Sequence, residues 1–173
     1  MGKVKQVLLI EDDRLVAKSL TNLLTQNGIK VEYAWNGDLA FKMAQSTEFD
    51  VIISDIRMPG ELGTDVVKKI NSDRIKPIPF IFITGYSDDA YIKEAEKMGC
   101  RDFLYKPFDT QVLIQSLERV FNDPFILNDP FKTDEKPVIE GQEPPSRLKR
   151  FFYNALGSQW NPEKETQADR KKK

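Results

Sequence analysis

Val51-Ile52-Ile53-Ser54-Asp55-Ile56-Arg57-Met58-Pro59-Gly60 is the stretch that decides the fold. Its first half is an unbroken apolar run rather than an alternation, as in a strand covered on both faces of a parallel sheet. Its second half is a turn signal. Between them stands a carboxylate, Asp55. A charged side chain at a strand tip, just before a turn, lies in the crevice where open α/β sheets hold their ligands.

Working outward, the same grammar repeats. Val7-Leu8-Leu9-Ile10 is a buried strand ending in Glu11-Asp12-Asp13. Asp13 caps a helix whose inward face carries Val16, Leu20, Leu23 and Leu24, and Gly28 stops it. Ile29 to Ala34 reads as a second strand, and Asn36 to Gln45 as a helix with Leu39, Ala40, Met43 and Ala44 inward. After the third strand, Gly63 to Ile70 forms a helix burying Val66, Val67 and Ile70. Pro79 to Ile83 is a fourth strand leading to Thr84, and Ser87 to Met98 a helix closed by Gly99. Asp102 to Tyr105 is a fifth strand leading to Lys106-Pro107. Asp109 caps a last helix reaching Phe121, with Leu113, Leu117, Val120 and Phe121 on one side. Strict β-α alternation predicts a (βα)5, doubly wound, five-stranded parallel sheet with right-handed crossovers and helices on both faces.

A parallel sheet brings all these strand ends to one edge. The set is then an acidic pair, a lone carboxylate, a hydroxyl and an ammonium. Glu11 and Asp12 repel each other, and a hard cation between them relieves this, since magnesium prefers oxygen ligands. The simpler reading, an acidic helix cap, suits Asp13 better than it suits the pair. Asp55 is the candidate nucleophile, because carboxylates accept phosphoryl groups as acyl phosphates. Thr84 can donate to a phosphoryl oxygen and Lys106 can pair with another as a point charge. Taken singly, Thr84 reads as a turn residue and Lys106 as a solvated surface lysine. Their joint occurrence at strand ends argues for a site.

Composition narrows the alternatives. The chain has 173 residues, no histidine and one cysteine, Cys100. That excludes His-based acid/base catalysis, His-ligated metals, an intramolecular disulfide and a Cys-based zinc site. The hydrophobic fraction of 40% supports a real core, and the net charge of −1 gives no global pull toward nucleic acid or membrane. The apolar run after Met1-Gly2-Lys3 is too short for a signal peptide or a membrane span. A cytoplasmic protein is expected.

Residues 3–121 resemble the receiver domain of bacterial two-component response regulators. The matching pieces are Leu8-Leu9-Ile10-Glu11-Asp12-Asp13, Asp55-Ile56-Arg57-Met58-Pro59 with Gly63 beyond, Thr84-Gly85, and Lys106-Pro107-Phe108. The resemblance implies a flavodoxin-like receiver fold with Asp55 as phosphoacceptor. It implies Mg2+ held by Glu11, Asp12, Asp55 and the backbone carbonyl of Arg57. Thr84 becomes the switch hydroxyl, Lys106 the phosphate-pairing lysine and Phe103 the aromatic switch position, with a cis Lys106-Pro107 bond. The implied partners are a sensor histidine kinase or histidine phosphotransferase and a downstream protein. Such a domain is no conventional enzyme, since it catalyses only its own phosphorylation and dephosphorylation.

The receiver pattern is assigned to residues 1–121. Residues 122–173 hold six of the ten prolines and read as a linker and tail. Within it, Leu148, Phe151, Phe152, Ala155, Leu156 and Trp160 fall at helical spacing, giving a candidate amphipathic helix over 146–160 with Ser146 as cap. One such segment is not the paired helices of a helix-turn-helix, so no conventional output domain is expected. The helix could pack on its own receiver, bind a partner or a second copy as a homodimer, or lie on a membrane surface, the last disfavoured by its few basic residues. A DNA-binding regulator working through the tail is the competing class. Ten basic residues there against nine acidic ones make a poor phosphate-tracking surface, so nucleic acid is not the expected partner. An independent flavodoxin-like enzyme is the third possibility, weakened by the lack of a phosphate-cradling glycine loop.

Overall fold

In the computed structural model, residues 4–85 and 89–122 are described. The linker and the candidate helix at 146–160 lie outside them. The strands are β1 (Gln6–Ile10), β2 (Lys30–Ala34), β3 (Val51–Asp55), β4 (Arg57–Met58), β5 (Glu61–Leu62), β6 (Phe80–Thr84) and β7 (Asp102–Tyr105). The helices are α1 (Arg14–Gln26), α2 (Gly37–Ser46), α3 (Gly63–Asn71), α4 (Asp89–Lys97) and α5 (Thr110–Asn122). Five strands form one parallel sheet in the order β2-β1-β3-β6-β7. No helix among the described residues is long and apolar enough to cross a membrane.

Side chains alternate across a strand, so each apolar run feeds two cores. One face buries Val7, Leu9, Val51, Ile53, Ile81, Ile83 and Leu104 against Ala17, Leu20 and Leu24 of α1 and Leu113, Leu117 and Val120 of α5. The alternate residues Leu8, Ile10, Ile52, Phe80, Phe82 and Phe103 are also buried, as are Ala40, Ala44, Val66, Val67, Ile70, Ile92 and Ala95 from α2, α3 and α4. Each fully buried Leu, Ile or Phe contributes about 1.5–3 kcal/mol. Both faces are covered, which is what the unbroken apolar runs predict.

The caps expected at Asp13 and Asp109 form, and Asn36, read from the sequence as the first helical residue, caps α2. Asp13 Oδ1 accepts from the backbone N–H of Leu15 and Val16, Asn36 Oδ1 from Leu39, and Asp109 Oδ1 from Gln111. The Lys106-Pro107 peptide is cis, as expected.

Three details differ from the sequence reading. The inward seam of α1 runs through Ala17, Leu20 and Leu24, with Val16 and Leu23 half-buried and packed against the same core. After β3 the chain does not pass straight to α3 but makes a small antiparallel hairpin, β4–β5, pairing Arg57 with Leu62 and Met58 with Glu61. Gly60, at φ +82°, supplies the left-handed backbone its turn requires. Helix α4 is described from Asp89 to Lys97, one residue short of the expected end. The residues before Asp89 are outside the described set.

Candidate functional site

β1 and β3 are neighbours, in register Ile10 with Ser54. The residues that follow them therefore meet at one edge. Glu11 is held there by its backbone N–H on the Ala34 carbonyl at 3.1 Å, and it is 2% exposed. Asp55, the last residue of β3, is 8% exposed, whereas Asp12 is open to solvent. One carboxylate oxygen from each of Glu11, Asp12 and Asp55 lies within 4.8 Å of the others.

Lys106 reaches this cluster from the far side of the sheet. Its backbone N–H donates to the Thr84 carbonyl at 2.7 Å, tying the end of β7 to the end of β6. Its ammonium donates to Glu11 Oε2 at 2.6 Å and to Asp55 Oδ2 at 2.6 Å. The sequence-based alternative of a solvated surface lysine is thereby ruled out. Burial works to lower the pKa of Lys106, but the hydrogen bonds and charges of Asp55 and Glu11 outweigh it and hold the ammonium above its ordinary value. Burial pushes the Glu11 carboxyl above its usual range, and Lys106 pulls it back without cancelling the effect. Glu11 is the most deeply covered carboxylate of the three.

Three carboxylates against one ammonium leave an excess of two negative charges when all are ionised. An all-oxygen donor set with that excess fits a hard divalent cation. The residues present therefore suit the metal that the sequence motif implies.

The backbone around Asp55 is also specified. Asp55 Oδ1 accepts from the Arg57 N–H at 3.0 Å, which fixes the carboxylate at the head of the hairpin. Ser54 Oγ donates to the Asp55 carbonyl at 2.8 Å. A Cβ on Gly63 would meet that same carbonyl oxygen and Ser54 Oγ, so glycine is what allows α3 to start against the backbone of Asp55. The Gly63 N–H donates to the Ile56 carbonyl at 2.8 Å, closing the hairpin.

The two remaining candidates are buried. Thr84 ends β6 and is 1% exposed, opposite Tyr105 in the register. Phe103 is 1% exposed, and its ring centroid lies 5.1 Å from that of Tyr105. The Arg57 side chain is exposed, with its guanidinium carbon 6.0 Å from the centroid of Tyr91 in α4. The sequence reading gave no role to Ser54 or Tyr91. Ser54 had a signal, being the one polar residue inside an apolar strand. Tyr91 had none, because nothing local reports what a helix flank faces.

The family model for the response regulator receiver domain matches residues 7–118. The transcriptional regulatory protein CrdR of Helicobacter pylori is 34% identical over 119 residues, covering 69% of this chain and 56% of CrdR. The chain thus spans little more than half the length of that relative. The chemotaxis protein CheY of Pseudomonas aeruginosa is 30% identical over 118 residues, covering 67% of this chain and 95% of CheY. The solved structure of the chemotaxis protein CheY4 of Vibrio cholerae matches with a TM-score of 0.64 and 31% identity, over 68% of this chain and 99% of that one.

Proposed function

Because the chain belongs to the response regulator receiver family of two-component systems, we propose that Asp55 accepts a phosphoryl group from a histidine kinase or histidine phosphotransferase and so switches a protein–protein contact. In the transfer the donor's P–N bond breaks, a bond forms from phosphorus to an Asp55 carboxylate oxygen, and the donor imidazole leaves with the electron pair. Water later cleaves the acyl phosphate, releasing inorganic phosphate and restoring the carboxylate.

Glu11, Asp12 and Asp55, with the Arg57 carbonyl, would hold Mg2+. The bound ion would offset the repulsion between the carboxylate and the incoming phosphoryl oxygens. Lys106, already beside Asp55, takes one phosphoryl oxygen as a point charge, and Thr84 donates its hydroxyl to another. Phe103 occupies the aromatic switch position and, lacking a hydroxyl, works through packing alone. Residues 1–121 form the phosphoacceptor domain and 122–173 the linker and tail, whose amphipathic pattern over 146–160 suits contact with the receiver itself, a partner or a second copy. A cytoplasmic location follows from the kinase partner.

The observation that carries this reading is the Lys106 ammonium at 2.6 Å from both Glu11 and Asp55, with Asp12 completing the acidic cluster. The test is intact mass after treatment with acetyl phosphate and Mg2+. Wild type should gain one acid-labile phosphoryl group, lost on adding hydroxylamine, and Asp55→Asn should gain none. Equal labelling of the Asn variant would end the assignment.

A second reading has one observation behind it. CrdR is named a transcriptional regulatory protein, and this chain matches only part of it. A DNA-binding output is therefore the alternative, and a phosphorylation-dependent mobility shift on DNA would favour it.

A further inference from the structure

Helix α4 is lightly held. Ile92 and Ala95 are the buried apolar residues among its described positions, whereas α5 buries Leu113, Ser116, Leu117 and Val120. One residue before each of those two anchors stand Tyr91 and Glu94. They are three apart, so they share one flank of the helix. Each meets a cation from the segment that follows the acceptor strand. The Arg57 guanidinium carbon is 6.0 Å from the Tyr91 ring centroid, and Lys68 Nζ of α3 is 2.6 Å from Glu94 Oε1.

We propose that Arg57 and Lys68 form a two-point latch on the Tyr91–Glu94 flank of α4, and that a phosphoryl group on Asp55 opens its Arg57 half. The opening step rests on the phosphoacceptor reading above; the latch itself does not. The two halves differ in chemistry. The Lys68–Glu94 half is an ion pair remote from the acceptor in sequence. The Arg57 half rests on a ring face, and its backbone N–H already lies 3.0 Å from Asp55 Oδ1. A change of side-chain rotamer is enough to bring the arm toward new charge on that carboxylate. A charge-assisted bond from guanidinium to phosphoryl oxygen is stronger than an exposed cation–π contact. Adding charge at Asp55 therefore withdraws Arg57 from Tyr91, and of the two latch contacts the Lys68–Glu94 pair remains. Tyr91 is thus a positioning residue. It acts on the site through Arg57 and on the surface through α4.

Hydrogen exchange of the α4 amides in the full chain tests this, with beryllofluoride and Mg2+ as the phosphoryl mimic and fluorine NMR to verify loading. Without the mimic, Tyr91→Leu should speed α4 exchange about two- to fivefold, the size expected for losing an exposed cation–π contact. Tyr91→Phe keeps the ring face and should match wild type. Loading should speed α4 exchange in wild type by a similar factor and add little in Tyr91→Leu. If Tyr91→Leu and Tyr91→Phe exchange alike without the mimic, there is no latch. If loading is verified and wild-type α4 exchange does not rise, the opening step is wrong while the phosphoacceptor reading survives. If no adduct forms at all, the phosphoacceptor reading falls and the opening step with it.

Discussion

Replacing Lys106 with Gln removes the cation that sits between Glu11 and Asp55. The lysine side chain is 25% exposed, and those of its partners are 2% and 10% exposed. Breaking a buried ion pair on one side costs about 3–5 kcal/mol because a charge is left uncompensated. The partial exposure of Lys106 and the open position of Asp12 favour the low end, about 3 kcal/mol. For a domain of this size that is a loss of roughly 10 °C in melting temperature. The assay is thermal unfolding in EDTA, so that no divalent ion substitutes for the ammonium. Glu11 sets the pH dependence. Its carboxyl is raised by burial above its ordinary value of 4.5. A group raised in the fold contributes stability that is fully present below its unfolded value and lost as the pH rises through the folded one. Losing Lys106 raises Glu11 further, so the destabilisation should be greatest at neutral pH and shrink as the pH falls toward 4.5, where Glu11 is protonated and needs no counterion. Added Mg2+ should also stabilise Lys106→Gln more than wild type, because three carboxylates are then left without a cation. A variant that melts with wild type in EDTA, or a gap that does not narrow in acid, would refute the argument.

Gly63→Ala should cost about 1–3 kcal/mol, since its Cβ runs into the Asp55 carbonyl and Ser54 Oγ; urea unfolding measures it, and a neutral result would mean that α3 can retreat. Asp13→Ala should cost about 1 kcal/mol by removing the acceptor for two N–H groups of α1, whereas Asp13→Asn should cost little. The Cys100 thiol is pushed up by burial to about 12, so it should resist iodoacetamide in the native protein and react readily in urea. With its folded pKa raised, its contribution to stability should also fade as the pH climbs from 9.0 toward 12, a loss that Cys100→Ala should not show. Thr84→Ala should still take up phosphate at Asp55 but lose most of the phosphorylation-dependent change in partner affinity, and an undiminished change would remove Thr84 from the switch.

The centre of the main sheet was legible because β1, β3 and β6 are apolar runs leading into a polar group, a pattern that survives without knowledge of neighbours. The helix starts were legible for a similar reason, since Asp13 and Asp109 cap through atoms within three residues of themselves. The hairpin after β3 was not, because its strands have two residues each and no periodicity can be read in two residues. The seam of α1 was read incompletely, because Ala17 was passed over: the size of a side chain says how much it gains from burial, not how deeply its position is placed. At the site, the residue types and their strand-end positions could be read. The pairing of Lys106 with Glu11, 95 residues apart, could not, because it depends on which strands become neighbours. The Arg57–Tyr91 contact depends on helix placement and left no mark in the local sequence.

On the proposed function, the strand order separates a half that takes the phosphoryl group from a half that reads it. β1 and β3 carry the three carboxylates, β6 and β7 carry Thr84 and Phe103, and the border is the ladder from Ile52–Phe80 to Asp55–Ile83. Lys106 is a rivet across that border, anchored by its backbone in one half and by its ammonium in the other. Such a plan lets the two halves be edited separately. Residues on the outer surfaces of α1 and α2 can change without touching β6 or β7, and the flank of α4 can change without touching the carboxylates except where Tyr91 meets Arg57. Chimeras that exchange everything after β3 between two members of the family should therefore keep their acidic pocket intact, provided the rivet and the Asp55–Ile83 ladder are carried over.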